Sequence, residues 1–197
     1  MFLTLDEERH ACCWDFTVQL DELSRLLKIF NQREPDTRTI ELQAERLVKD
    51  GFQSARDLRE FIKAVCKWRG YEGIADRVLK NNTESELSSS FRSAHFHAIA
   101  HDDLAAIKSL LGLNGIAVSF ASKHLKFLVP ENAVVLDSII SKRLGYELTT
   151  EGYHVLLTDC RRILEKAVSA GLDYPGWGHN GWRVSDIEMA IFEKLRA

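Results

Sequence analysis

Apolar residues recur at spacings of three and four along most of this chain. Phe16, Leu20, Leu23, Leu27 and Phe30 make one stripe, Leu58, Phe61, Ile62 and Val65 a second, and Tyr153, Leu156, Leu157, Cys160, Ile163, Leu164 and Val168 a third. That period places each set on one face of an α-helix. Only three prolines occur in 197 residues, and alternating strand patterns are nearly absent, so an all-α chain is expected. With 45% hydrophobic and 28% charged residues, the chain suffices for one well-cored domain over 1–197, or for two small lobes. No repeat or low-complexity tract appears, and the polar run Asn81-Asn-Thr-Glu-Ser-Glu86 is the best candidate for a loop between lobes. Ser185-Asp-Ile-Glu188 reads as a capping box that starts the last helix.

Charge sets limits on the partners. A net charge of −3 disfavours nucleic acid, whose affinity comes largely from cations on phosphate. Yet Lys123, Lys126, Lys142, Arg143, Arg161 and Arg162 follow position 112, while much of the acid lies in residues 5 to 60. The choice is between a basic face on an acidic body and an ordinary mixed surface. Cys12, Cys13, Cys66 and Cys160 show no paired spacing and read as reduced thiols. Without a leader or a bilayer-length apolar run, a cytoplasmic chain with no membrane partner is expected. His95, His97 and His101 form an H-x-H-x3-H series that could put His97 and His101 on one helix face. Asp102 and Asp103 read better as the start of the next helix than as ligands, and no metal is expected.

The most informative stretch runs from Gly112 to Tyr146. Asn132-Ala-Val-Val-Leu136 delivers Asp137 to Ser138-Ile-Ile, which places a partly dehydrated carboxylate at a helix N-terminus. Dehydration and the helix dipole act on such an acid in opposite directions, so one reading is a tuned catalytic acid. The other is a plain N-cap. Upstream, Leu110-Leu-Gly-Leu-Asn-Gly-Ile-Ala117 is a glycine-bearing hairpin between helical patterns at His101–Leu111 and Ile116–Leu128, and Pro130 follows in the loop.

This helix-hairpin-helix (about 101–128), followed by a loop and aspartate (about 129–146), resembles the HhH-GPD superfamily of DNA base-excision glycosylases. Ser119-Phe-Ala-Ser-Lys123-His-Leu is most similar to a small bacterial group with the 8-oxoguanine DNA glycosylase fold. The resemblance implies a helical two-lobed fold and excision of a damaged or modified purine after base flipping. It implies that Asp137 stabilises an oxocarbenium-like transition state or activates the nucleophile. Gly112, Asn114, Gly115 and Ala117 would face a DNA phosphate, often through a bound monovalent cation, with no iron-sulfur cluster.

Two positions depart from the family pattern. Ala117 stands where the second hairpin glycine falls, and Ser119, eighteen residues before Asp137, stands where bifunctional members carry the lysine nucleophile. Lys123 lies one turn further along the same face. Three readings remain: a displaced nucleophile at Lys123 with associated strand cleavage, a monofunctional enzyme using water, or lost chemistry. Apart from the resemblance, Lys123 reads as a solvated helix lysine. Trp177 and Trp182, flanking a Gly/His/Asn-rich loop, and Trp68, with basic neighbours, are candidates for the base pocket or for simple packing. Similar bacterial proteins occur in antiviral defence gene clusters. The other functional class is therefore a silent component of such an assembly, binding DNA or a modified nucleotide beside a protein partner.

Overall fold

A computed structural model describes residues 3–5, 10–13, 16–68, 71–176 and 179–196. Among these residues the chain is helical apart from a small N-terminal sheet. β1 (Thr4–Leu5), β2 (His10–Cys13) and β3 (Phe16–Gln19) pair antiparallel in the order β1-β2-β3, with Thr4 opposite Cys12 and Cys13 opposite Phe16. Phe16 is thus a strand residue rather than the first member of a helical stripe. In β3 the exposure alternates around buried Val18, and two β-branched residues, Thr17 and Val18, suit the pleat. The stripe proper begins at Leu23.

Ten helices follow among the described residues: α1 (Glu22–Arg33), α2 (Asp36–Lys49), α3 (Ala55–Lys67), α4 (Glu72–Asn81), α5 (Glu84–Ile99), α6 (Asp103–Leu111), α7 (Val118–Leu128), α8 (Ser138–Leu144), α9 (Thr150–Ser169) and α10 (Val184–Arg196). Short polar side chains set many of the starts. Ser54, Thr83, Asp102, Asp137 and Thr149 each accept a bond from a first-turn amide, satisfying donors that have no partner inside the helix. Thr83 and Glu86 form a reciprocal capping box. Most of the polar run at 81–86 is therefore helical, and only Asn82 and Thr83 separate α4 from α5.

The last helix starts differently from expectation. The Arg183 amide donates to Asp186 Oδ2 at 2.8 Å, so Asp186 serves the start of α10. Ser185 Oγ is buried with no hydrogen-bond partner among the described residues, and Glu188 instead accepts from the Val135 amide at 3.3 Å. The reason is tertiary: α10 is buried from Val184 through Glu193, and its polar side chains answer to neighbouring elements.

α7 is the axis of the fold. Every residue from Phe120 to Val129 is buried, and α2, α3, α5, α6 and α9 pack around the helix. A single cluster of apolar side chains runs from Leu3 to Leu195. No helix among the described residues is long and apolar enough to cross a membrane.

Candidate functional site

The hairpin 112–117 joins α6 to α7 as expected and brings Gly112, Asn114, Gly115 and Ala117 onto one turn. Gly115 sits at φ +97°, where a side chain is strained, and a Cβ there would lie 3.0 Å from Arg77 Cγ and Cδ. Asn82 holds the turn with both ends of its amide: Oδ1 accepts from the Asn114 amide at 2.9 Å, and Nδ2 donates to the Asn114 carbonyl at 3.0 Å. Ala117 occupies the N-cap of α7 and offers no side-chain acceptor. Its carbonyl accepts from the amides of Phe120 and Ala121, each at 2.9 Å.

Asp137 is buried, with 6% of its surface exposed, at the N-cap of α8. Its Oδ1 accepts from the amides of Ile139 (2.9 Å) and Ile140 (3.1 Å). Oδ2 takes no part in that cap. The approach to it is equally fixed, because Ala133 through Leu136 are buried and the Leu136 amide donates to Ser122 Oγ on α7 at 3.0 Å. Ser122 Oγ also donates to the Ser119 carbonyl at 3.0 Å, so one hydroxyl links the first turn of α7 to Leu136, the residue before Asp137. Asp137 is thus the N-cap of α8, the plainer of its two readings.

Lys123 is not the solvated lysine that its type suggests. It is 3% exposed, and its ammonium lies 4.4 Å from the centre of the Phe120 ring and 5.8 Å from that of Tyr71. Burial pushes the nearby Cys66 thiol up to about 12, against a smaller opposing pull from Lys123. Cys66 and Cys160 are buried free thiols.

The aromatic candidates fare differently. Trp68 is buried rather than lining a pocket: its indole donates to Thr37 Oγ1 at 3.2 Å and meets Phe127 edge-on at 4.9 Å. Trp182 is half-buried, donates to the Leu172 carbonyl at 3.0 Å and packs against Tyr174. Trp177 lies outside the described residues. Sequence reasoning missed α4, which runs beside the hairpin with Tyr71 at its N-cap, Arg77 against Gly115 and Asn82 at its end. The only sequence signal was an isolated aromatic after Arg69-Gly70, which no periodic pattern distinguishes.

The expected basic face is largely consumed by structure. Lys126 is fully buried and pairs with Glu41 at 3.1 Å. Arg161 grips Asp103 with two bonds of 2.7 Å, and Arg162 pairs with Asp159. Of the six basic residues named, Lys142 and Arg143 at the end of α8 stay exposed without such a role in the described contacts. Glu41 is a hub, meeting Arg183 at 3.0 Å and Arg38 at 3.3 Å as well as Lys126. Burial pushes its carboxyl up, but the charges of Lys126 and Arg183 outweigh burial and hold it at about 2. Burial lowers the Lys126 ammonium, with Glu41 opposing.

The histidine series does not share a helix face. His101 follows α5 at φ +59°, His97 Nδ1 lies 3.6 Å from Asp102, and His95 packs on Phe52. Asp102 caps α6, and Asp103 is taken by Arg161 and His154. Among the described residues no three His, Cys, Asp or Glu side chains stand together as a metal site would require.

Comparison with protein-family models, with curated proteins and with solved structures found no match to this chain.

Proposed function

We propose that the chain engages nucleic acid through the hairpin 112–117 and acts as a monofunctional DNA N-glycosylase on a damaged or modified purine. The observation that carries this reading is the way Asp137 is held. One carboxylate oxygen is committed to two backbone amides in a buried setting, and the segment before it is pinned to α7. A carboxylate fixed in advance stabilises positive charge developing on a sugar without reorganising as the bond breaks. The electron pair of the N-glycosidic bond leaves with the base, water adds to C1′ and loses a proton, and Asp137 either faces the cationic sugar or takes that proton. Ser119 in the family's lysine position cannot form a Schiff base, and Lys123 is occupied with two aromatic rings. The 8-oxoguanine-like substrate class rests on the HhH-GPD resemblance.

A second reading is supported by the same serine and by the ion pairs that take up Lys126, Arg161 and Arg162. In that reading the chain binds nucleic acid or a modified nucleotide without chemistry, as one component of a defence assembly.

A panel of duplexes and single strands, each with one lesion, tests the proposal by release of abasic product. Asp137→Asn is the informative variant, because an amide oxygen can still accept the two α8 amides. Excision should fall at least ~100-fold, with thermal midpoint and DNA affinity unchanged. Unaltered excision removes Asp137 from the mechanism. Binding without base release by the wild type favours the silent component. Borohydride should trap no covalent adduct during turnover, and a trapped adduct overturns the monofunctional route.

A further inference from the structure

We infer that Tyr71 is a base-contacting residue, an exposed ring on which an unpaired nucleobase stacks while the adjoining phosphate lies toward Arg77 and the hairpin; this rests on the nucleic-acid reading above. A large aromatic side chain in a well-packed helical chain is ordinarily buried, yet Tyr71 is 60% exposed. Its position is fixed. The ring and that of Phe120 meet edge-to-face, not stacked, with centres 6.0 Å apart and planes at 87°. The Lys123 ammonium lies 5.8 Å from the centre of that ring, so a positive charge sits within a ring's width of the exposed surface.

α4 carries the second half of the surface. Tyr71 stands at its N-cap, and Arg77, six residues along, is exposed with its aliphatic stem against Gly115. A helix rises 1.5 Å per residue, so about 9 Å along the axis separates the two. Both side chains meet the α6–α7 unit, Tyr71 at Phe120 and Arg77 at Gly115. Asn82, at the far end of α4, holds Asn114 and so locks the hairpin to the helix that bears both side chains. The surface therefore offers a π-face, a guanidinium and a turn of backbone on one rigid support. That is the chemistry of an unpaired base with its phosphate, in a single strand or flipped from a duplex.

The test uses the full chain and an oligonucleotide with one 2-aminopurine, offered single-stranded and as a mismatched duplex. Wild-type binding should quench the 2-aminopurine by stacking. Tyr71→Ala should weaken binding about 10-fold and abolish the quench, Tyr71→Trp should restore both, and all thermal midpoints should agree. Arg77→Gln should keep the quench but reduce the slope of log affinity against log salt by about one, as loss of a phosphate contact does. If the wild type binds and Tyr71→Ala binds and quenches equally, the assignment of Tyr71 is overturned and the hairpin reading stands. If the wild type binds neither oligonucleotide at low salt, both fall together.

Discussion

Glu41 to Gln is the perturbation whose cost the structure defines most sharply. Glu41 is 2% exposed, and its carboxylate faces Lys126, which has no exposed surface, and Arg183, which is 7% exposed. Neutralising it leaves two buried cations opposed by Asp186, bonded to Arg183 at 3.1 Å, and by the charge of Glu188 acting on Lys126. Removing one partner of a buried ion pair costs about 3–5 kcal/mol, because the remaining charge keeps its desolvation penalty. The ionisation of Glu41, shifted by the same contacts, points to the same order. A carboxyl held at about 2 rather than its ordinary 4.5 corresponds to about 3 kcal/mol of stability, at 1.36 kcal/mol per unit. The folded value is depressed, so this stability is complete above the unfolded value of 4.5 and fades as pH falls toward 2. Urea unfolding at pH 7 should therefore place Glu41→Gln about 3–5 kcal/mol below wild type, with the gap narrowing by half or more at pH 3. Replacing the pair with apolar residues, Glu41→Leu with Lys126→Met, should recover most of the loss, since well-packed hydrophobes substitute for buried pairs at little cost. A cooperative Glu41→Gln protein within ~1 kcal/mol of wild type at neutral pH would refute the idea that this hub anchors α2 to α7 and α10.

Two further predictions concern α7 and its hairpin. His124 is fully buried with Nδ1 2.6 Å from the Phe120 carbonyl, and burial pushes the ring down to about 4 from 6.5. The unfolded chain takes up this proton first, so stability is complete above pH 6.5 and falls by about 3 kcal/mol toward pH 4; His124→Gln should flatten the urea midpoint across that window, and parallel curves would sink the assignment. Gly115→Ala should lower stability by about 1–2 kcal/mol, because a Cβ at φ +97° is strained and meets Arg77; it should also weaken DNA of every sequence by a similar factor, and sequence-dependent losses would mean the hairpin reads bases.

What the sequence determined by itself was whatever depends on neighbours along the chain. Helical periodicity located the stripes of α1, α3 and α9, except that Val168 at the end of the last is exposed, the glycine turn marked the α6–α7 hairpin, and the run 132–140 placed Asp137 at a helix start, because such signals are written within one or two turns. The same locality explains the misassignments. Phe16 fits a helical spacing and becomes a strand residue only through pairing with Cys13, and Ser185-x-x-Glu188 matches a cap whose side chains are drawn to other elements. The tertiary structure alone decided which charges and rings are left for function. Lys126 and Arg161, basic on paper, are neutralised by Glu41 and Asp103 from positions 85 and 58 residues away. Trp68 is spent on the core, while Tyr71, three residues later, is left outside it. Burial and pairing are set by elements distant in sequence, so residue type and spacing can nominate an ion or an aromatic ring but cannot say whether the fold has already used it.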